Sequence, residues 1–351
     1  MNFSLRAFIF RALAFALLTL AFARIDAARA QPFPDPRQRV EIRFDRAESK
    51  GGASFARVRD TQCRENISDV VAERELRRRI VDLAAREWEA FHFPTLDIAS
   101  VGLPIVPRVQ SQSSGARSRA ILPDVINPPL PQPLQRALRL GLVEDDGDAI
   151  ERIGGYWAVV PGQSAVATQN VIWGKGGWPG AGWAQPWSAA FISWTMCEAG
   201  LSRAQFQRSA AHWAYVADMF SGDAAQAFAP APLSVRVTPG DLVCAGRADD
   251  KEIASLDEAR VAAQQGALMH CDIVVGLLPD RALLIGGNVM NAIALTIAPA
   301  DRQGRILPNA RRSWFGVMKL KAPEDKRAGL GEASWRCLGK SADIMACLEK
   351  P

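Results

Sequence analysis

The sequence predicts an α+β protein in which helices come first along the chain and a small antiparallel sheet follows. Two observations carry this prediction. Apolar residues recur at helical spacing over about residues 69–91 and 188–199. After residue 233, short apolar runs alternate with proline and glycine turns, a pattern that is typical of strands. Helices that precede strands, instead of alternating with them, indicate α+β architecture.

The composition excludes several classes of protein. Of the 351 residues, 48% are hydrophobic and 23% are charged, which is the balance of a globular chain and excludes both intrinsic disorder and a multi-pass membrane protein. The net charge is +5, but four arginines and one aspartate in the first thirty residues account for three of these charges. The rest of the chain has no basic cluster, so we expect no nucleic-acid partner.

The N-terminus is typical of a secretory signal peptide. Arg6 and Arg11 precede an apolar run over 12–23, and Ala28-Arg29-Ala30 forms a small-x-small cleavage site. About twelve apolar residues are too few to cross a bilayer, which needs ~20. We therefore expect a signal peptide over 1–30 and a secreted, periplasmic protein with no integral membrane segment after cleavage.

The remaining chain is predicted to contain one domain. An extended lead-in over 31–68 precedes an α+β domain over 69–321, and a C-terminal tail follows over 322–351. Seven prolines fall within 104–133 and predict a long surface excursion there.

Four helices and six strands are predicted, in this order. The helices cover about 69–91, 132–142, 188–199 and 210–220. The strands cover about 234–237, 241–245, 271–277, 282–285, 289–297 and 314–320.

Six cysteines in an oxidising compartment permit disulfides. Cys337 with Cys347 is the one pair that we predict, because it would tie down the tail; the pairing of the other four stays open. No cysteine or histidine spacing matches a zinc site, so we expect no structural metal and no cofactor.

Ser188 follows a loop rich in glycine and tryptophan and stands at the start of a predicted helix. Serine is a favoured N-cap residue, and capping alone explains it. The second interpretation is a nucleophile beside the free N–H groups of a helix start, which can form an oxyanion hole. Both interpretations remain open on the sequence alone.

His270 and Asn288 are predicted to face each other across a hairpin. If the turn lies at Pro279-Asp280, His270 is opposite about position 289, within one residue of Asn288. An amide beside an imidazole can fix its orientation, as in nucleophile–base–orienter sites. A histidine that only ends a strand is the alternative.

The motifs as a set resemble those of a bacterial family. They are Pro-Trp-Ser-Ala-Ala-Phe-Ile-Ser-Trp from Pro186, Ser-Ala-Ala-His ending at His212, Pro-Gly-Asp-Leu-Val from Pro239, His-Cys-Asp-Ile-Val-Val from His270, and Ile-Gly-Gly-Asn-Val from Ile285. The chain resembles the bacterial domain of unknown function 2272 over about 72–320. That family looks like a branch of the papain-like amidase and peptidase group, which includes the CHAP and NlpC-type enzymes.

This resemblance implies a papain-like fold and a site made of Ser188, His270 and Asn288. In the wider group a cysteine starts the helix, so this chain has serine in place of the nucleophilic thiol. None of the other cysteines is placed to replace that thiol.

Three further residues are candidates for substrate or oxyanion contacts. Gln185 could donate to an oxyanion, His212 could line the cleft, and Trp187 could stack on a sugar. Structural roles are the alternatives: a loop amide, a core or capping histidine, and a core tryptophan. Asp241, after Pro239-Gly240, is interpreted as a turn former.

The function that the sequence favours is a secreted hydrolase that cleaves an amide or ester in the cell envelope, with peptidoglycan peptide as the leading substrate. The alternative is a catalytically inactive papain-like domain that binds cell-wall peptide or glycan.

Overall fold

The computed structural model describes residues 70–99, 141–144, 146–162, 164–172, 182–247, 253–309 and 312–331, together with 47–48, 54–55, 138–139 and 334. All of these lie within one compact unit that covers 42–351. The predicted signal peptide, most of the lead-in, the proline-rich segment and the cysteines at 337 and 347 lie outside the described residues.

The described residues form six helices. They are α1 (Val70–Ala90), α2 (Gly147–Ala158), α3 (Ala165–Ile172), α4 (Ser188–Glu198), α5 (His212–Met219) and α6 (Leu256–Gln264).

The described strands form two sheets. In the small sheet β1 (Ala47–Glu48) pairs with β2 (Ser54–Phe55) in antiparallel orientation. The main sheet has eight strands in the order β4-β3-β9-β8-β7-β6-β10-β5. Its strands are β3 (Thr95–Asp97), β4 (Leu138–Arg139), β5 (Phe228–Ala231), β6 (Leu242–Gly246), β7 (Met269–Leu278), β8 (Arg281–Val289), β9 (Ala292–Pro299) and β10 (Trp314–Leu320).

The predicted α+β class is confirmed, and the sheet is larger than predicted. Its pairs are antiparallel except for β3, which runs parallel to β9. This parallel pair makes the sheet mixed, because β3 reaches β9 from the end of helix α1 and not through a hairpin.

The large apolar core lies between the helices and one face of the main sheet. Helix α4 is at its centre, since every residue of the helix is buried. The opposite face carries a smaller cluster that includes Val243, Ala245, Val274 and Trp314. Alternate residues of β6 and β7 therefore serve the two faces, as the pleat of a strand requires.

A buried polar network ties helix α1 to the sheet. Arg77, Thr238, Asp241 and Lys319 form this group, which we call the Asp241 network. The Arg77 guanidinium donates to the Asp241 carboxylate at 2.9 Å and to the Thr238 hydroxyl at 3.0 Å. The carboxylate also accepts from the Thr238 N–H at 2.8 Å and from Lys319. Asp241 thus forms the predicted turn and a buried ion pair as well.

The predicted β7–β8 hairpin is present. The two strands are joined at Pro279-Asp280, and their register places Leu278 opposite Arg281 and Ile273 opposite Ile285. The register predicted from the turn position is within one residue of the observed one.

Some predicted elements are wrong. The helix expected over 132–142 is contradicted at Leu138–Arg139, which pairs with β3 as an edge strand. The strand expected at 234–237 is absent from that described segment, and β5 lies at Phe228–Ala231 instead. In both cases tertiary pairing outweighs local propensity.

Three described helices were not predicted. The start of helix α6 could have been predicted, since Ser255 followed three residues later by Glu258 is the pattern of a capping box. In the structure the Ser255 hydroxyl accepts from the Glu258 N–H, and the Glu258 carboxylate accepts from the Ala254 N–H. Helix α2 contains Gly154-Gly155, which lowers helix propensity, and tertiary packing stabilises it.

In the part of the chain that the structure describes, no helix is both long enough and apolar enough to span a bilayer.

Candidate active site

Ser188 is held at the start of helix α4 by a buried loop. Glu144 accepts from the Trp187 indole N–H at 2.6 Å and from the Trp183 backbone N–H at 3.1 Å. Gln169 donates to the Gly182 carbonyl at 2.8 Å and accepts from the backbone N–H of the residue after Trp183. These bonds stabilise the segment that leads into the helix, so that the position of Ser188 is fixed.

The Ser188 hydroxyl does not cap its helix. Trp187 is the N-cap residue, and no side-chain capping bond is present. The hydroxyl oxygen instead lies 2.7 Å from Nε2 of His212, the first residue of helix α5. The backbone N–H groups of the first turn of α4 have no acceptor inside the helix, as at any helix start.

The tautomer of His212 follows from its partners. The Cys271 backbone N–H donates to Nδ1 at 3.2 Å, and the Tyr215 hydroxyl contacts the same nitrogen. An amide N–H can only donate, so Nδ1 carries the lone pair and the ring proton is on Nε2. His212 therefore donates to Ser188 and is not available as a base towards it.

The Cys271 N–H is free for this bond because two strands part there. The paired register of β7 and β8 ends at Ile273 and Ile285. N–H groups of successive residues point to opposite sides of a strand, and that of Val274 is directed towards the β6 side. The Cys271 N–H is consequently directed towards β8, where His212 occupies the place of a strand carbonyl.

His270 is paired with Asp272. Its Nε2 lies 2.8 Å from Oδ1 of Asp272, and both side chains are 2% exposed. The second ring nitrogen, Nδ1, is buried and has no hydrogen-bond partner among the described residues. The His270 ring lies 5.0 Å from the His212 ring, centroid to centroid. We call Ser188, His212, Tyr215, His270 and Asp272 the Ser188 cluster.

The charges of the His270–Asp272 pair are well defined. Burial by itself would raise the pKa of Asp272, but the positive charges of protonated His270 and of Arg312 outweigh it and lower the pKa to about 2. Burial lowers the pKa of His270 below 6.5, although the Asp272 carboxylate opposes the shift. At neutral pH the pair is therefore a carboxylate that accepts from a neutral imidazole, and His270 Nδ1 carries a lone pair.

His212 and Tyr215 also stay neutral. Burial, and then the His270 charge, lower the pKa of His212 well below 6.5. Burial, and then the Asp272 charge, raise the pKa of Tyr215 well above 10. Tyr215 thus keeps its proton and donates to the same nitrogen as the Cys271 N–H.

Gly286 and Gly287 leave room for the cluster. A Cβ at Gly286 would lie 1.8 Å from Asp272 Oδ1 and 3.0 Å from His270 Nε2. A Cβ at Gly287 would lie 2.7 Å from Cβ of Phe191 in helix α4. The first glycine admits the His–Asp pair, and the second lets the helix lie directly on β8.

The other predicted site residues have different surroundings. Asn288 has a φ of 54° at an irregularity in the β8–β9 pairing, a backbone conformation that asparagine tolerates. The side chain that bonds the His270 ring is that of Asp272. Gln185 is exposed, and Trp187 is fully buried between Phe91 and Tyr156.

A disulfide joins Cys244 and Cys271, which lie opposite each other on β6 and β7 with Cα atoms 4.1 Å apart. The disulfide fixes the position of Cys271, which lies between His270 and Asp272 in the sequence. Cys197 is also disulfide-bonded. The described residues hold no group of three or more His, Cys, Asp or Glu side chains that could bind a metal ion.

Sequence reasoning brought out Ser188, His212 and His270, which share one cluster, and it missed Asp272 and Tyr215. The signal for Asp272 was present, because residues i and i+2 of a strand share a face. Tyr215 follows His212 by three positions on one helix, which places both on one side.

Fold and site define an α+β domain with a serine at the start of a buried helix and a His–Asp pair on an adjoining strand. The chain belongs to the family described as "Uncharacterized protein conserved in bacteria (DUF2272)", which matches residues 144–320, half of the chain. All members of the Ser188 cluster lie within that segment. No curated protein and no solved structure matches the sequence significantly.

Proposed function

We propose that the protein is a hydrolase that cleaves an amide or ester through Ser188 as nucleophile and His270 as base. The observation that carries the proposal is the unpartnered, buried Nδ1 of His270, whose other ring nitrogen is bonded to Asp272. The His270 ring lies next to the ring of His212, which is hydrogen-bonded to Ser188. A buried lone pair without a donor costs free energy, and such a cost is typical of functional sites.

His270 is a better base than His212. The Nδ1 of His212 is occupied by the Cys271 N–H, and its Nε2 proton is donated to Ser188. His270 has a free lone pair and a carboxylate that stabilises the imidazolium. Asp272 therefore takes the orienting role for which the sequence favoured Asn288.

The proposed reaction has two stages, acylation of Ser188 and hydrolysis of the acyl-serine. Ser188 Oγ attacks the carbonyl carbon while its proton passes to His270 Nδ1, and the leaving amine or alcohol takes that proton as its bond to the acyl carbon breaks. Water then attacks the acyl-serine through the same base and releases the acid. Substrate binding must bring Oγ and Nδ1 to hydrogen-bond distance, since catalytic bonds often tighten only in the complex.

The N–H groups at the start of α4 are the proposed oxyanion donors. The Nε2–H of His212, which donates to Ser188 Oγ, orients the nucleophile. The His212 donor is already fixed by its two partners on Nδ1. Gln185, exposed three residues before Ser188, is a further candidate donor.

We also propose the wider setting that the sequence favours. The domain is a papain-like relative with serine in place of cysteine, it is secreted to the periplasm, and its substrate is a peptidoglycan peptide. The support is the buried helix with Ser188 at its start beside a strand that carries His270. In Ser188→Cys, a thiol at a helix start should have a lowered pKa and should react with iodoacetamide near neutral pH.

The test of the nucleophile is labelling with a fluorophosphonate, followed by mass spectrometry. We expect the label on Ser188 and no label in Ser188→Ala. Ser193→Ala is the matched control, because Ser193 is buried in the same helix but bonded to Ser209. It should label like the wild type.

The residue that orients the base is tested with two substitutions. Asp272→Asn should slow labelling about 100-fold or more, because the imidazolium loses its counter-charge. Asn288→Gly, which keeps the left-handed backbone available, should change the rate less than threefold. The reverse order of the two effects would return the orienting role to Asn288.

The second candidate is binding of cell-wall peptide or glycan without catalysis. The near-complete burial of Ser188, His212 and His270, at most 4% exposed, favours it. A folded protein that is never labelled, and whose Ser188→Cys thiol is inert, would exclude hydrolysis at Ser188. Calorimetric binding of a cell-wall peptide or glycan to that protein would then establish this second function.

A further inference from the structure

Two arginines lie on the sheet next to the Ser188 cluster. In the ladder of β6 and β7, Ala245 is opposite His270. One row further out, the Arg247 N–H donates to the Leu268 carbonyl at 2.8 Å, so Arg247 is opposite Leu268. Since side chains two residues apart share a face, the row of Arg247 continues the face that holds His270 and Asp272. The spacing between these rows is about 7 Å.

Arg312 lies two residues before the start of β10 and approaches the same place. The Gly246 N–H donates to the Ser313 carbonyl at 3.1 Å, which puts Arg312 beside the end of β6. Arg247 is an exposed residue. Partial desolvation of its guanidinium, and then the charge of Arg312, lower the pKa of Arg247, and both arginines lower the pKa of His270 after the effect of its burial. The two guanidinium groups thus repel each other beside the cluster.

This region has more positive than negative charge. Asp272 is the one carboxylate that affects the pKa of Arg247. Within the described chain the only ion pair of Asp272 is with His270. The two histidines are neutral at neutral pH, because burial lowers the pKa of each. Neither Arg247 nor Arg312 has an ion-pair partner among the described residues. Two arginines and one carboxylate, which is already paired with His270, leave a net positive charge that an anion could neutralise.

We propose that Arg247 and Arg312 bind the free C-terminal carboxylate of a peptide whose scissile bond lies at Ser188. The proposal rests on the proposed function and specifies its substrate. Paired guanidinium groups suit a planar carboxylate, which they bind through charge-assisted hydrogen bonds. Residues in an extended peptide are spaced by roughly 3.5 Å. Because the row of Arg247 lies about 7 Å from that of His270, the proposed base, the carboxylate is expected one or two residues beyond the bond on which His270 acts. Leu268, 65% exposed in the row of Arg247, offers an apolar contact to those residues.

The experiment measures binding with the Ser188→Ala protein, so that cleavage does not interfere. The probes are N-acetyl-alanyl-alanine, in the L and D series, and the same peptides as C-terminal amides. By calorimetry we expect the acid to bind at least tenfold more tightly than the amide in one series. Arg247→Gln and Arg312→Gln should each remove most of that difference, whereas Arg247→Lys should retain part of it. Arg236→Gln, which removes an exposed arginine paired with Glu324, is the control.

The outcomes separate the two proposals. Equal binding of acid and amide, or no binding of either at millimolar concentration, overturns the carboxylate site. Inorganic phosphate that displaces the acid and binds more tightly than it does would overturn it too, in favour of a phosphate ligand. Selective binding of the acid without any turnover by the wild type would sustain the carboxylate site while hydrolysis fails.

Discussion

The Asp241 network and the Ser188 cluster are both buried and both contain a carboxylate, but their hydrogen bonding differs. Asp241 accepts from two backbone N–H groups, one hydroxyl and two cationic side chains. The Ser188 cluster leaves Nδ1 of His270 unpartnered and holds two histidines neutral. A fully bonded network stabilises the fold, whereas an incompletely bonded one is maintained at a cost.

The difference also concerns which parts of the chain meet. The Asp241 network joins helix α1, outside the matched family segment, to strands β6 and β10. The Ser188 cluster joins α4, α5 and β7 inside it. We infer that the first serves assembly of the domain, and the second is the site of the proposed hydrolysis.

Asp241→Ala should have the largest effect on stability. It leaves the Arg77 charge buried without its carboxylate, and such a loss costs about 3–5 kcal/mol. Urea unfolding followed by circular dichroism measures the change. A loss below about 1 kcal/mol would show that the network is not a main support of the fold.

Acid should destabilise the protein through the two buried histidines. Their pKa values in the folded protein are lowered from 6.5, so below pH 6.5 the unfolded chain binds protons that the folded chain does not. The free energy of unfolding should therefore decrease as the pH falls below 6.5, by up to about 1.4 kcal/mol per pH unit for each histidine. Asp272 adds a loss in the same direction between pH 3.8 and about 2. Unfolding curves from pH 7.5 to 5 should show a smaller slope in His212→Asn.

Gly286→Ala should disrupt the cluster at moderate cost to the fold. The added methyl group would lie 1.8 Å from Asp272 Oδ1 and must displace the His–Asp pair. We expect a loss of about 1–3 kcal/mol in unfolding free energy and of fluorophosphonate labelling. Gly329→Ala, with open space around its Cβ position, is the control and should leave both unchanged.

The smallest effect is expected at an exposed ion pair. Arg236 and Glu324 are 58% and 65% exposed and lie 3.4 Å apart. Arg236→Gln should change the unfolding free energy by less than about 0.5 kcal/mol, because water and salt screen such pairs. An effect comparable to that of Asp241→Ala would remove the contrast between exposed and buried charges.

Much of the fold could be predicted because the signals are local. Helices α1 and α4 follow from the spacing of apolar residues, and the β7–β8 hairpin follows from one turn at Pro279-Asp280. The edge strand β4 could not be predicted, because two residues carry no period and only its pairing with β3 defines it. The parallel pair of β3 and β9 likewise depends on segments about two hundred positions apart.

The site divides in the same way. Local spacing was enough to predict that Ser188 starts a helix, that His270 lies on a strand, and that glycines stand on the next strand. The hydrogen-bond partners of these residues depend on the folded domain as a whole. The tertiary structure brought His212 to Ser188 through a gap between β7 and β8, and it gave Asp272, not Asn288, to His270. Hydrogen-bond partners depend on distances of a few tenths of an ångström, and packing across the whole domain sets those distances.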